Sequence, residues 1–285
     1  MKAIYIIITV ALLAPLTWSC QPEITTLPEF EAMIVVDGSI EDGQVATVIL
    51  TQVIPSESTL DSTLLSQIPI RWGKITLTCE DEEEIMVGGR DTSYLFQFYY
   101  RSLHLKGEAG KTYSIKVEYN EVVATATTTI PEPVDLIEIR AEKVTDSDSS
   151  YVIMAKLNEP SQEGNHYLVS TKIEGIDYIY KPTLMGVWSD TRINQMDNEI
   201  PIYRALSISQ TGKEFGVFYT SGDIVWVKIS HIDEISYNYW LSQQELFINN
   251  SNPIYPVTEN AQTNIEGGLG CWSGLGSVIY KIEIP

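Results

Sequence analysis

The sequence is poor in the residues that most often carry chemistry. It holds three cysteines and three histidines in 285 residues. His104, His166 and His231 are far apart, and none forms an H-x-x-x-H pair. That spacing offers no zinc motif, and too few cysteines remain for a thiolate cluster. The same scarcity excludes a disulfide-built scaffold. Positive charge is also scarce: 18 Lys and Arg stand against 38 Asp and Glu, a net charge of −20. Such a chain repels phosphate backbones, so no nucleic-acid partner is expected. Electrostatic adhesion to anionic lipid is disfavoured for the same reason. Acidity of this kind also keeps a secreted protein soluble. Long hydrophobic runs are missing as well. The longest, Ala3 to Leu16, is shorter than the roughly 20 residues that cross a bilayer core. No Gly-x-Ser-x-Gly elbow marks a hydrolase.

What is present at the start is an address. Met1-Lys2, the apolar run and Thr17-Trp18-Ser19-Cys20 resemble a bacterial lipoprotein signal. Leu16 stands one position early for that box, and Trp18 is bulky for it. The reading is a signal peptide over residues 1–19, lipid attachment at Cys20 and a tether over 20–31. An ordinary secretory signal with an incidental cysteine is the alternative. Gln21-Pro22-Glu23 resembles the polar-acidic tag that sends some such lipoproteins to the cell surface. More than one acyl chain on Cys20 would anchor the protein without a spanning helix. The expected location is the cell envelope, on the outer membrane, and the expected membrane partner is reached through lipid.

From Ala32 the chain reads as strand after strand. Met33 to Val36 is a β-branched run ending at Asp37-Gly38, and Val45 to Thr51 follows a Glu-Asp-Gly turn signal. Residues 55–67 read as a polar loop. Ile75, Leu77 and Cys79 alternate with Lys74, Thr76 and Thr78, the period of a half-buried strand. Further strands fall at 94–100, 113–117 and 122–130. Pro131-Glu132-Pro133 then stiffens a connection. About seven strands before it suggest an immunoglobulin-like β-sandwich over 32–131. The second part, 134–285, repeats the pattern at 134–141, 151–157, 166–173, 176–181, 202–209 and 223–230, with a last strand at 277–284. Between them, Ile232, Ile235, Tyr239, Trp240, Leu246 and Phe247 fall at helical spacing. The fold class is therefore mainly β, an N-terminal sandwich plus a second β-rich domain with one covering helix near 232–250. Ser230 or Asp233 would cap that helix, and Trp240 or Tyr239 would be buried beneath it.

Several motifs invite chemistry and yield to plainer readings. Gly267 to Gly276 is glycine-rich but lacks the Lys-Ser/Thr of a phosphate loop, so tight turns and close strand packing explain it. Glu80 to Glu84 reads as a solvated turn. Asp146-Ser147-Asp148 lacks the glycine and distal glutamate of a calcium loop. Cys79 and Cys271 read as buried free thiols. Asp61-Ser62-Thr63 matches a short O-glycosylation pattern on an expected loop. Tyr178, Tyr180, Met185 and Trp188 cluster around Pro182 and Gly186. Aromatics on a loop stack on sugars or anchor protein partners, so Tyr178, Tyr180 and Trp188 are the candidate ligand-binding residues.

Three passages carry a resemblance. They are Ile34-Val35-Val36-Asp37-Gly38-Ser39-Ile40, the stretch from Gly107 to Val117 running on to Ala124–Pro131, and Tyr237-Asn238-Tyr239-Trp240-Leu241 with Thr263 to Gly270. In these the chain resembles domain-of-unknown-function family 4249, Bacteroidetes envelope lipoproteins often encoded near TonB-dependent receptors. The resemblance spans the mature chain and implies an envelope address, a two-part β architecture and a TonB-dependent receptor as partner. It carries over no catalytic residue, metal or cofactor. The expected function is a non-enzymatic accessory or ligand-binding partner of a TonB-dependent transporter. The alternative is a structural or adhesive envelope lipoprotein.

Overall fold

The computed structural model describes residues 33–53, 62–145, 147, 149–205, 216–249 and 261–285. Cys20 and Asp61 lie outside them. Strands β1 (Ile34–Glu41) and β2 (Val45–Gln52) form a hairpin. Ile34, Val36, Gly38 and Ile40 of β1 point inward, with Ala46, Val48 and Leu50 of β2. Asp37 therefore stands in mid-strand rather than ending it, because the alternation runs on through Ile40. A short helix α1 (Ser62–Gln67) replaces part of the expected loop. Strands β3 (Lys74–Cys79), β4 (Glu82–Ile85), β5 (Val87–Arg90), β6 (Phe98–Lys106), β7 (Thr112–Tyr119) and β8 (Val122–Thr129) complete the first half. The acidic run falls on the β3–β4 hairpin, where Glu84 accepts backbone N–H bonds from Leu103, His104 and Leu105.

The second half holds β9 (Leu136–Lys143), β10 (Ser150–Leu157), β11 (His166–Ile173), β12 (Lys181–Ser189), helix α2 (Asp190–Asn194), β13 (Glu199–Ile202), β14 (Tyr219–Thr220), β15 (Ile224–Ile232), helix α3 (Glu234–Asn249) and β16 (Leu269–Glu283). One sheet of eight strands runs β12-β11-β15-β16-β1-β2-β6-β5. A sheet β4-β3-β7-β8 covers one face at one end, and a sheet of β9, β10, β13 and β14 covers it at the other.

Two hydrophobic cores result. The first joins Val36, Val48, Ile75, Leu77, Ile115 and Val117. The second joins Ile153, Leu157, Tyr167, Val169, Val227 and Ile229. Pro131-Glu132-Pro133 lies between them in sequence, yet residues 32–285 form one compact unit. The link is β16. Its 15 residues span about 50 Å at ~3.4 Å each, enough to serve both cores. Its first half pairs parallel with β1 and its second half antiparallel with β15. Trp272 enters the first core and donates its indole N–H to the carbonyl of Tyr113 at 3.0 Å. Ile282 and Ile284 serve the second.

This strand starts eight residues earlier than the expected 277–284, and of the two readings of its glycines, tight turns and close strand packing, the second holds at Gly270 and Gly276. Close packing requires them. A Cβ on Gly270, whose φ is +100°, would lie 1.9 Å from the Val36 carbonyl, and one on Gly276 would lie 2.0 Å from that of Pro131. Helix α3 is capped by Asp233, whose Oδ1 accepts the Ser236 N–H at 2.8 Å. Its Oδ2 accepts the Thr128 hydroxyl at 2.7 Å, tying the helix to β8. Tyr237, Trp240 and Leu241 pack on Leu168, Val187, Ile232 and Leu275. Tyr239 and Trp240 are half-buried rather than sealed. No helix among the described residues is long and apolar enough to cross a membrane.

Candidate functional site: a groove on the shared sheet

The eight-stranded sheet has an outer face that neither smaller sheet covers. Alternation places Asp37, Ser39 and Glu41 of β1 there, beside Cys271, Ser273 and Leu275 of β16, to which they are in register. Lys228 and Ser230 of β15 and Leu168 and Ser170 of β11 continue the face. Trp240 of α3 and Tyr180 stand over it. Together they enclose a groove of about 130 Å³. Small side chains on the floor and aromatic ones on the walls are what give it depth.

The groove's charges are unequal in their partners. The Lys228 ammonium lies 2.9 Å from the Glu41 carboxylate and 5.0 Å from the centre of the Tyr180 ring. From there a ladder of cations and rings runs along the same face. Lys172 stands 5.2 Å from the Tyr180 ring and 5.9 Å from that of Trp226. Lys281 lies 4.9 Å from the Trp226 ring and 3.1 Å from Glu174, which also accepts the Trp226 indole N–H. Asp37 is the exception. No ion pair or side-chain hydrogen bond reaches its carboxylate among the described residues. Its side chain is exposed to solvent, and the packed surroundings raise its pKa above the usual carboxylate value. Burial, with a smaller contribution from Asp37, also pushes up the phenol of Tyr239. Tyr94 is raised by burial and by Asp91, Tyr99 and Asp37.

Cys271 faces Asp37 across the strand pair. Burial pushes its thiol up to about 12, and its sulfur lies 3.1 Å from the Ser273 hydroxyl. It is therefore protonated at neutral pH and a poor nucleophile. Cys79 is likewise a buried free thiol. Two wider, more open depressions lie elsewhere. One, of about 440 Å³, runs along Thr125–Thr127 and Thr263–Glu266. The other, of about 520 Å³, holds Glu163, His166 and Asp190. There Asp190 is committed to structure: burial would raise its pKa, but backbone N–H groups of Gly164, Thr191 and Asn165 hold it below the usual range.

Of the three residues expected from sequence, the structure brings only Tyr180 into the groove. Tyr178 is 84% exposed on the turn before β12 and does not line it. Trp188 is corrected outright. It lies on β12, opposite Tyr167 and buried in the second core, with Arg192 stacked 4.4 Å from its ring. Pro182 and Gly186 made this stretch read as a loop and 176–181 as a strand. In fact 174–180 is the turn, and an irregularity between Leu168 and Ser170 lets β12 pair around both residues. Asp37, Glu41 and Lys228 were missed. The available signal was a carboxylate held inside a β-branched run, read there as a turn.

These features define a mainly β protein whose two cores share one sheet, with a polar and aromatic groove on that sheet's free face. The chain belongs to the family described as Domain of unknown function (DUF4249), which matches it over residues 21–278. No curated protein matches the sequence. Among solved structures, the chain is similar to one from a cytokine receptor complex, with 6% identity, 87% of this chain and 95% of that chain covered, and a TM-score of 0.26. It is also similar to a marsupial T cell receptor, with 11% identity, 73% and 94% covered, and a TM-score of 0.18. Scores this low carry no functional argument.

Proposed function

We propose that the protein is a non-enzymatic envelope lipoprotein that holds a small ligand in the sheet-face groove and serves a TonB-dependent transporter as its accessory. The observation that supports the ligand-holding part is Asp37. Its carboxylate lines a concave site walled by Trp240 and Tyr180 and is open to solvent there. A few polar groups in an aromatic-walled cleft are the usual make-up of a binding site. The high-pKa thiol of Cys271 removes the one cysteine in the groove as a nucleophile. The transporter partnership rests on the family resemblance, and the anchor on the leader and Cys20.

The experiment is cross-linking in native outer membranes, from a reporter placed at Tyr178 on the exposed turn beside the groove. A TonB-dependent receptor in the cross-linked product is the expected result. Pilus or matrix proteins in its place would favour the adhesive alternative. In the same cells, Cys20→Ala should move the protein from the membrane to the soluble fraction. Retention after salt and carbonate washing would refute the lipid anchor.

A further inference from the structure

We propose that the end of the first half that carries Arg71 and Trp72 docks on the bilayer surface, with the Trp72 indole among the lipid head groups. This rests on the envelope-lipoprotein reading above. Trp72 is 90% exposed, the most exposed large apolar side chain among the described residues. A single exposed apolar residue is ordinary, but this one has company. Leu65, Val123 and Met33 are also exposed, and the fold gathers them at one end. Ile34 of β1 lies opposite Gln52 of β2. The Gln52 N–H donates to the Ile68 carbonyl and the Ile70 N–H to the Leu50 carbonyl, so the segment leading to Trp72 runs along the end of β2. The Gln52 side-chain amide donates to the Gln67 carbonyl, which brings α1 and Leu65 there. The Val53 N–H donates to the Met33 carbonyl. A Cβ on Gly267 would lie 2.3 Å from the Val123 carbonyl and one on Gly268 2.8 Å from that of Ile34, so the start of β8 belongs to the same end.

Charge and connectivity select lipid as the occupant. Residues 62–79 contain no Asp or Glu, in a chain that has 38 of them. Of their two cations, Lys74 pairs with Glu118 at 3.2 Å. Arg71 is exposed, and its guanidinium donates to the Ser66 carbonyl at 3.1 Å, with no carboxylate in ion-pair reach among the described residues. An indole beside a free guanidinium suits the lipid–water interface, where the ring is half solvated and phosphates accept from the cation. The acidic remainder of the chain is repelled by such a surface, which favours this end over the others. The chain also enters the compact unit here, at Met33, 12 residues beyond Cys20. Those residues reach at most about 40 Å. A lipid on Cys20 therefore keeps this end at high effective concentration near the bilayer, so a weak contact is enough. β16 starts at this end and runs about 50 Å into the second core. Docking here holds the second core away from the membrane, toward a partner.

The test is quenching of tryptophan emission by phosphatidylcholine brominated high on its acyl chains, in vesicles. The chain from residue 20 is attached in two ways: through its own lipid, and through a hexahistidine ahead of residue 20 on a nickel-chelating lipid. Vesicles of the same composition without bromine are the reference. Chelate attachment makes the measurement independent of lipidation. Failure of the anchor reading then shows as native chain that does not sediment with vesicles, and failure of this inference as attached chain that is not quenched. Brominated lipid should quench the wild type. Trp72→Phe should lose at least threefold of that quenching, and Trp226→Phe, in the second half, should lose none. Arg71→Glu should weaken it at least twofold. All three variants should keep the wild-type melting temperature, since these side chains are not in either core. Undiminished quenching in Trp72→Phe, or its loss in Trp226→Phe instead, would mean that another face meets the lipid and overturns the inference. Receptor cross-linking lost in Trp72→Ala, with Trp72 unquenched by lipid, would also overturn it by giving the residue a protein partner.

Discussion

The ammonium of Lys228 on β15 reaches over β16 to lie 2.9 Å from the carboxylate of Glu41 on β1. β1 packs into the first core and β15 into the second, so this ion pair straddles the seam between them. Its side chains are only 14% and 20% exposed. Breaking one half leaves a poorly solvated charge, which costs more than losing an exposed pair.

A double-mutant cycle with Glu41→Gln and Lys228→Met should therefore give a coupling of about 1–2 kcal/mol, within the range for contacting residues. Urea unfolding monitored by circular dichroism measures it. The two cores share β16, so wild type should unfold in a single transition. Two resolved transitions, or a coupling near zero, would mean that the seam carries little of the stability.

Trp188 and Trp240 should behave oppositely to the expectation from sequence. Trp188 is fully enclosed by the second core. Cutting a buried aromatic to Ala costs about 3–5 kcal/mol, so Trp188→Ala should lower the melting temperature by about 10 °C or more. Trp240 is half-buried at the groove and contacts Leu168, Val187, Ile232 and Leu275 from one side. Trp240→Ala should cost about 1–2 kcal/mol, in keeping with partial burial. Scanning calorimetry of the two variants decides between the assignments.

The strands were legible where alternation was clean. Ile75-Thr76-Leu77-Thr78-Cys79 announces its period, and β3 follows it. Helix α3 was legible from its spaced aromatics, and its cap from Asp233. The first half of β16 was hidden because Gly270, Gly274 and Gly276 serve close backbone packing, a need set by strands more than 130 residues away in sequence. The same distance hid the groove. Asp37, Lys228 and Tyr180 are brought together only by the order of strands in the eight-stranded sheet, which local pattern does not encode. Trp188 was misplaced because Pro182 and Gly186 are ordinary loop signals, overridden here by an irregular strand pairing.

The two buried thiols give a third check. Cys79 and Cys271 are 6% and 3% exposed. Thiolate is the reactive form and burial suppresses it at Cys271. An aromatic disulfide reagent at pH 8 should label neither residue quickly in the native protein, and should label both at once on unfolding in guanidinium. Prompt native labelling of Cys271 would show that the groove floor is more open than drawn.

Asp37 sets the last expectation. Its pKa is raised in the folded state by loss of hydration within the groove. The folded protein therefore holds this proton to a higher pH than the unfolded chain, whose carboxyl titrates near the ordinary value of about 3.9. The sign follows by linkage. The favourable contribution is complete below the unfolded value and is lost as pH rises through the folded one. Asp37→Asn cannot ionise and keeps the shape. Tyr239, Tyr94 and Cys271 face the same carboxylate, but all remain neutral across this range, so they do not mask the effect. The variant's melting temperature should equal or exceed that of wild type at pH 7, and its advantage should shrink as pH is lowered toward 4. A variant less stable than wild type at pH 7 would mean that the Asp37 carboxylate is engaged by a favourable partner in the folded protein.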